Sequence, residues 1–203
     1  MLKAVLFDLD DTLLDGEGAF SRALTHSLKK FGLKSEVKTF SRGLGIDSTV
    51  NAVLPSLSEE EKREFSVYFA SRYYSFYLPA LGKLYPRVKE ELLELKKKFK
   101  LGLVSNNSRN SLNKLLKNFG LNVFDVVVSV DDVDRIKPDP EGVNYALTEL
   151  GVSSDEAVFV GDSEVDLQAA KAAGVKFFLV NRSFNKGLRA KKISSLLELL
   201  KLK

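Results

Sequence analysis

Two acidic residues follow the first apolar run of the chain and are spaced to act as a pair. Asp8 and Asp10 come directly after Ala4-Val5-Leu6-Phe7, a β-branched and aromatic run typical of a buried strand. Alternation along a strand would place both carboxylates on one side, where two anions about 4 Å apart repel by roughly 1 to 4 kcal/mol. This pair therefore calls for a nearby cation, although Asp is also common in turns that simply close a strand.

Further polar residues follow later apolar runs in the same way. Ser105 and Asn106 come after Leu101-Gly102-Leu103-Val104, and Asp162 and Asp166 follow Ala157-Val158-Phe159-Val160. The spacing of the second pair favours one face of a helix start, but helix capping by Ser163 and Asp166 explains it equally well. Taken alone, Ser105 and Asn106 could form an ordinary loop, and Lys137 could be a solvated lysine.

Helical and strand periodicities alternate over most of the chain. We predict strands at 4–7, 101–104, 126–128, 157–160 and 176–180, separated by helices, with a last amphipathic helix carrying Ile193, Leu196, Leu197 and Leu200. This alternation indicates an α/β fold: a doubly wound, Rossmann-like, five-stranded parallel sheet. The carboxyl ends of its strands would bring the polar residues to one edge.

A helical block interrupts the alternation after the first strand. Residues 17–31 and 48–53 have helical spacing, and Ser58 with Glu61 indicates a capping box that opens a helix ending at Pro79. We therefore predict a core domain of residues 1–15 and 80–203 and a helical domain of residues 16–79.

The bulk composition limits the possible functions. The 203 residues are 44% hydrophobic and 29% charged, with a net charge of +4 spread over the sequence, which suits an anionic small substrate better than nucleic acid. The chain has no Cys and one histidine, His26, so disulfides, thiol chemistry and sites built from several histidines are excluded. We see no signal peptide and no membrane-spanning run, and we expect a cytoplasmic protein.

Together, the polar clusters resemble the four ordered motifs of the haloacid dehalogenase superfamily. The resemblance covers nearly the whole chain, and the helical block lies where that family carries its first-type cap domain. The matching residues are Asp8, Asp10 and Thr12 (DxDxT), Ser105, Lys137, and Asp162 and Asp166 (GDSxxD).

The resemblance implies a Mg²⁺-dependent phosphatase acting on a small phosphorylated metabolite. Asp8 would be the nucleophile that forms an aspartyl-phosphate, and Asp10 the general acid, which must hold a proton at neutral pH. Residues implied in metal binding are Asp8, Asp10 through its backbone carbonyl, Asp162 and Asp166; those implied in holding the substrate or its phosphoryl group are Thr12, Ser105, Asn106 and Lys137.

The resemblance leaves alternatives of several kinds. Family members that cleave carbon–halogen bonds lack an acid at the position of Asp10, which argues against dehalogenation. A phosphomutase of the β-phosphoglucomutase type uses a cap histidine, for which His26 is the one candidate. A binding or regulatory protein on the same fold is a further alternative, and Mg²⁺-dependent phosphate release would exclude it. Arg42 could contact the substrate or be a solvated turn residue, and neither the substrate nor the oligomeric state can be read from the sequence.

Overall fold

The computed structural model describes residues 1–34 and 45–202. The chain forms two compact units: a sheet unit of Met1–Asp15 with Leu84–Lys203, and a helical unit of Gly16–Lys83. Arg42 and its predicted loop lie outside the described residues. Among the helices that are described, none has the length and apolar character needed to cross a membrane.

The sheet unit is built on six parallel strands. The strands of the chain are β1 (Ala4–Phe7), β2 (Leu14–Asp15), β3 (Lys83–Leu84), β4 (Lys100–Val104), β5 (Val126–Val128), β6 (Ala157–Gly161), β7 (Lys176–Val180) and β8 (Lys192–Ile193). The spatial order of the large sheet is β5-β4-β1-β6-β7-β8, and β2 and β3 are outside it. All described pairings in the large sheet are parallel. The predicted α/β fold with a parallel sheet is confirmed.

Strand β1 lies at the centre of the sheet, between β4 and β6. Ala4 is in register with Lys100 of β4 and with Ala157 of β6, and all four residues of β1 are fully buried. After β1 the chain adds β4 and β5 on one side, then β6, β7 and β8 on the other. The order therefore reverses beside β1, which is where open α/β sheets bind their ligands.

Helices cover the sheet and make up most of the helical unit. The helical unit contains α1 (Glu17–Lys30), α2 (Gly45–Val53), α3 (Glu59–Arg72) and α4 (Leu78–Leu81), and the sheet unit contains α5 (Val88–Lys96), α6 (Arg109–Phe119), α7 (Glu141–Leu150) and α8 (Glu164–Ala172). One face of the sheet packs against α7 and α8 through a buried cluster that includes Leu6, Phe159, Val143 and Ala169. Residues buried on both faces explain why the strands are continuously apolar.

The C-terminal segment differs from its prediction. A sixth strand, β8, pairs with β7, so the predicted count of five strands was wrong. This two-residue strand is too short to show a period in the sequence. The predicted last α-helix is a 3₁₀ helix over Leu196–Lys201, and its buried residues are Leu196 and Leu199. A spacing of three matches the three residues per turn of a 3₁₀ helix.

The helical unit has an aromatic core of its own. Phe65 and Phe69 of α3 are fully buried, and Phe69 packs edge to face with Phe20 at a centroid distance of 4.9 Å. The capping box is confirmed: the Glu61 carboxylate accepts from the Ser58 backbone N–H at 2.8 Å, and Ser58 Oγ accepts from the Glu61 N–H.

The predicted helix end at Pro79 was wrong. A π-helical turn over Tyr73–Tyr77 follows α3, and Pro79 lies in the first turn of the next segment, α4, which continues to Leu81. Proline is tolerated in a first turn because its missing N–H would have no intrahelical partner there.

A buried carboxylate anchors the C-terminal 3₁₀ helix. Glu91 of α5 accepts from Ser195 Oγ at 2.9 Å and from the Leu196 N–H at 2.8 Å. We expect Glu91→Ala to lower the free energy of unfolding by about 1–3 kcal/mol, because the buried Leu196 N–H and the partly buried Ser195 hydroxyl lose their acceptor. The exposed neighbour Glu90 provides the control: Glu90→Ala should change it by less than about 0.5 kcal/mol. Urea unfolding measures both, and equal effects would contradict this anchoring role.

Candidate active site

The ends of the central strands bring the predicted residues of the sheet unit together. Asp8 follows β1, and its N–H donates to the carbonyl of Val160 in β6 at 2.9 Å, which continues the strand pairing by one residue. Ser105 follows β4 in the same way, since its N–H donates to the Val128 carbonyl at 3.0 Å. Asp162 directly follows β6. Asp8, Ser105 and Asp162 are all buried.

Lys137 provides the cation that the paired acids required. Its ammonium donates to Asp8 Oδ1 at 2.6 Å, to Asp166 Oδ1 at 2.7 Å and to the Val104 carbonyl at 3.0 Å. Its side chain is only 4% exposed. Burial alone would lower the pKa of Lys137, but the charges of Asp166 and Asp8 outweigh it and hold that pKa above its ordinary value. The cation thus pairs Asp8 with Asp166, whereas the sequence suggested a cation between Asp8 and Asp10.

Asp166 combines the two roles that the sequence left open. Its Oδ2 accepts from Ser163 Oγ at 2.6 Å and from the Ser163 N–H at 3.3 Å, which completes the capping box of α8. Its other oxygen, Oδ1, accepts from Lys137. Helix capping therefore fixes the carboxylate that neutralises the lysine.

Asp8, Asp162 and Asp166 form a candidate metal site. One carboxylate oxygen from each lies within 4.8 Å of the others, and Asp162 Oδ2 is buried without a hydrogen-bond partner among the described residues. Burial and then the charge of Asp166 raise the pKa of Asp162. Burial also raises the pKa of Asp8, to about 6, although Lys137 opposes the shift. Buried carboxylates in excess of cations are the donor set that suits Mg²⁺.

The Asp10 carboxyl group hydrogen-bonds to Asn107, a residue outside this cluster. Its Oδ2 accepts from Asn107 Nδ2 at 2.6 Å. Burial, followed by the negative charge of Asp8, raises the pKa of Asp10 to about 8. This agrees with the expectation that Asp10 holds a proton at neutral pH, and burial is the larger cause. The Asp10 carboxylate is not part of the three-carboxylate cluster.

The remaining predicted residues form hydrogen bonds with neighbouring residues. Thr12 Oγ1 donates to Asp162 Oδ1 at 3.2 Å. Both amide atoms of Asn106 bind the backbone of Lys137: Oδ1 accepts from its N–H at 3.1 Å, and Nδ2 donates to its carbonyl at 2.9 Å. Asn106 thus holds the lysine in place, and its binding of substrate stays a prediction. Ser105 Oγ accepts from the Asn107 N–H at 3.3 Å.

Two residues that follow β7 were missed in the sequence. Arg182 donates to the carbonyls of Thr12 at 2.6 Å and Asp11 at 3.2 Å, and Asn185 Nδ2 donates to the carbonyl of Asp162 at 3.0 Å. Asp11 has a φ of 59°, in the left-handed region that is strained for a residue with a side chain. Polar residues after the fifth predicted strand were the signal, since that strand ends at the same edge.

Comparisons with known proteins match this architecture. The model of the haloacid dehalogenase-like hydrolase family matches residues 5–180. A phosphoglycolate phosphatase of Aquifex aeolicus is 34% identical over 177 residues, covering 86% of this chain and 83% of that protein. The pyrophosphatase PpaX of Bacillus velezensis is 36% identical over 178 residues, covering 85% and 80%.

A solved structure gives the same result. A haloacid dehalogenase superfamily hydrolase of subfamily IA from Geobacter sulfurreducens has a TM-score of 0.76 and 28% identity, and the match covers all of both chains. The chain therefore belongs to the haloacid dehalogenase-like hydrolase family, and the predicted membership is confirmed.

The raised pKa values make the stability of the metal-free protein depend on pH. A carboxyl whose pKa is higher when folded binds more protons in the folded state, so the free energy of unfolding falls as pH rises from about 4 toward the folded value. Asp8 and Asp10, with folded pKa values of about 6 and about 8, place this loss between about pH 4 and 8.

We expect the free energy of unfolding in EDTA to fall by about 1 kcal/mol or more between pH 5 and 8. Since 1 kcal/mol corresponds to roughly 2–4 °C for a chain of this size, the Tm should fall by at least that much. Asp10→Asn should reduce this slope because it removes one of the titrating groups. A Tm that rises with pH over this range would contradict the assignment.

Gly161 leaves room for Asp166. A Cβ built on Gly161 would lie 2.6 Å from Asp166 Cβ and 2.7 Å from its Cγ, so any side chain must displace the carboxylate. We expect Gly161→Ala to reduce the increase in Tm on adding Mg²⁺. For an intact site at 100 times Kd, that increase would correspond to a stabilisation of about 2.7 kcal/mol. Gly187→Ala is the control because nothing lies within 4 Å of its Cβ. An unchanged Mg²⁺ effect in Gly161→Ala would exclude Asp166 from the metal site.

Proposed function

We propose that the chain is a Mg²⁺-dependent phosphatase that hydrolyses a small phosphate monoester through an aspartyl-phosphate on Asp8. One observation carries the proposal: Asp8 lies at the switch point of the sheet, ion-paired at 2.6 Å to a buried lysine and beside a candidate metal site. A phosphate ester needs an in-line nucleophile, charge neutralisation and a proton for the leaving oxygen.

The chemistry proceeds in two steps on the side chains. An Asp8 oxygen attacks phosphorus while the bond from phosphorus to the leaving oxygen breaks, and Asp10 gives that oxygen its proton. Asp10, now a carboxylate, then takes a proton from water as the water oxygen attacks the aspartyl-phosphate. The phosphorus–Asp8 bond breaks, which releases inorganic phosphate and restores both carboxyl groups.

Charge neutralisation is divided between the lysine and the metal. Lys137 balances Asp8 and Asp166 before substrate enters, and we propose that with Ser105 it also holds the phosphoryl oxygens. Asp8, Asp162, Asp166 and the backbone carbonyl of Asp10 would hold the metal. A bound Mg²⁺ supplies positive charge that offsets the carboxylates and the phosphate.

The domain roles follow from the family. We propose that the sheet unit is the catalytic core and that the helical unit is the cap domain of this family. The predicted cytoplasmic location stays a prediction.

The alternatives receive less support than the phosphatase. The acid at position 10 argues against dehalogenation, because a halide leaves without a proton. A mutase of the predicted type would use His26, but both its ring nitrogens are hydrogen-bonded to tyrosines, Tyr77 at 2.9 Å and Tyr68 at 3.1 Å. A binding protein would not need both the nucleophile and the acid.

The relatives suggest two substrates to test first. Those at 34% and 36% identity are named a phosphoglycolate phosphatase and a pyrophosphatase. We propose that the substrate is a small molecule of this kind, with phosphoglycolate representing the monoesters and pyrophosphate a second candidate class.

The proposal is tested by phosphate release from p-nitrophenyl phosphate, 2-phosphoglycolate and pyrophosphate, with Mg²⁺ or with EDTA. We expect activity only with Mg²⁺, and a loss of about three orders of magnitude or more in Asp8→Asn, because the nucleophile is removed. Asp134→Asn, a change at an exposed acid, should retain activity.

Two outcomes would contradict the proposal at different levels. Full activity of Asp8→Asn would exclude the aspartyl-phosphate pathway. In that case, rapid acid quenching of wild-type protein during turnover would trap no phosphate on the protein. No hydrolysis of any ester by folded, Mg²⁺-loaded protein would refute the phosphatase itself.

A further inference from the structure

Asn107 is a buried residue that hydrogen-bonds to two residues of the proposed active site, Ser105 and Asp10. It is 1% exposed and follows β4 by three residues. Its N–H donates to Ser105 Oγ at 3.3 Å, and its carbonyl accepts from the Val130 N–H at 3.1 Å. The backbone of Asn107 is therefore held on both sides, and its side chain contacts Asp10.

The contact with Asp10 distinguishes the two oxygens of that carboxyl group. The amide Nδ2 of Asn107 can only donate, so Asp10 Oδ2, at 2.6 Å, must be an acceptor. A proton on neutral Asp10 therefore belongs to the other oxygen, Oδ1. That oxygen is buried and has no hydrogen-bond partner among the described residues, and the same holds for Asn107 Oδ1.

We infer that Asn107 is a positioning residue for Asp10, holding Oδ2 as an acceptor so that Oδ1 presents the transferable proton. This inference rests on the proposed function and adds to it. In the first step the proton passes from Asp10 Oδ1 to the leaving oxygen, which keeps the electron pair of the broken bond to phosphorus. Asp10 becomes a carboxylate with its Oδ2 still bound to Asn107.

The hydrogen bond strengthens during that step. A bond from an N–H to an ionised carboxylate is roughly twice as strong as one to a neutral group. Asn107 therefore stabilises the charge that develops on Asp10 more than the neutral acid, and an interaction that is stronger in the transition state lowers the barrier. In this first step, the effect of Asn107 should appear only where the leaving group needs a proton.

Leaving-group dependence separates this role from a packing role. p-Nitrophenolate leaves without a proton, whereas the alkoxide of an alkyl phosphate such as glycerol 3-phosphate needs one. We expect Asn107→Leu, which keeps the size and removes the donor, to lower the single-turnover rate of phosphoryl transfer from the alkyl ester to Asp8 by about 10- to 100-fold. On p-nitrophenyl phosphate the loss should be under about 3-fold.

Matched variants complete the test. In the same single-turnover measurement, Asp10→Asn should show the same selectivity for the aryl ester, and adding Asn107→Leu to it should change the alkyl-to-aryl ratio no further, since both act through one proton. Asn110→Leu, at an exposed position of the following helix, should retain both activities. If Asn107→Leu fails to fold, as judged by its thermal transition, Asn107→Ala takes the same measurement.

The outcomes distinguish this inference from the proposed function. If wild type hydrolyses no ester, the phosphatase proposal fails. If wild type is active and Asp8→Asn is inactive, but the folded Asn107 variants lose equal activity on both esters, Asn107 has only a packing role and the inference is overturned. A selective loss on the alkyl ester supports it.

Discussion

The structure of the site depends on one buried lysine held between two carboxylates. Lys137 bonds to Asp8 after β1, to Asp166 in the first turn of α8 and to a carbonyl at the end of β4. Taking an ammonium out of water costs several kcal/mol, which only close ion pairs and hydrogen bonds repay. Four separate segments are thus joined at one point, and removing the lysine would leave two buried carboxylates without their cation.

The lysine balances only part of the negative charge, and the remainder explains the chemistry. Among the described residues, Lys137 forms ion pairs with Asp8 and Asp166 but not with Asp162, and Asp10 accepts from the neutral amide of Asn107. The repulsion among these carboxylates can be reduced by a divalent cation at the cluster and by a proton on Asp10. The different surroundings of Asp8 and Asp10 also separate their pKa values, to about 6 and about 8. Carboxyl groups separated in this way can serve as nucleophile and acid in one reaction.

The sequence predicted the sheet and its edge because both follow from periodicity. Residues that follow β1, β4 and β6 had to meet there, and they do. No predicted strand ends directly before Lys137, so only the family resemblance assigned this residue to the site. Asn107 and Arg182 were missed because loop residues have no periodicity that would single them out, although both follow a strand. What identifies them is a hydrogen-bond partner far away in the chain, 97 positions for Asn107 and 170 for Arg182. Strand β8 was missed because two residues carry no alternation.

The loop that carries the proposed nucleophile and acid is held rigid from outside. Arg182 stacks on Tyr85 at 3.4 Å and binds the carbonyls of Asp11 and Thr12, which offsets the strain of the left-handed Asp11. Groups held in place before substrate arrives cost no reorganisation during the reaction. In the proposed function this network, which lies within the sheet unit, serves the phosphoryl group and not the rest of an ester. It is therefore compatible with relatives that are named for different substrates, and the residues that select the substrate must be sought outside it.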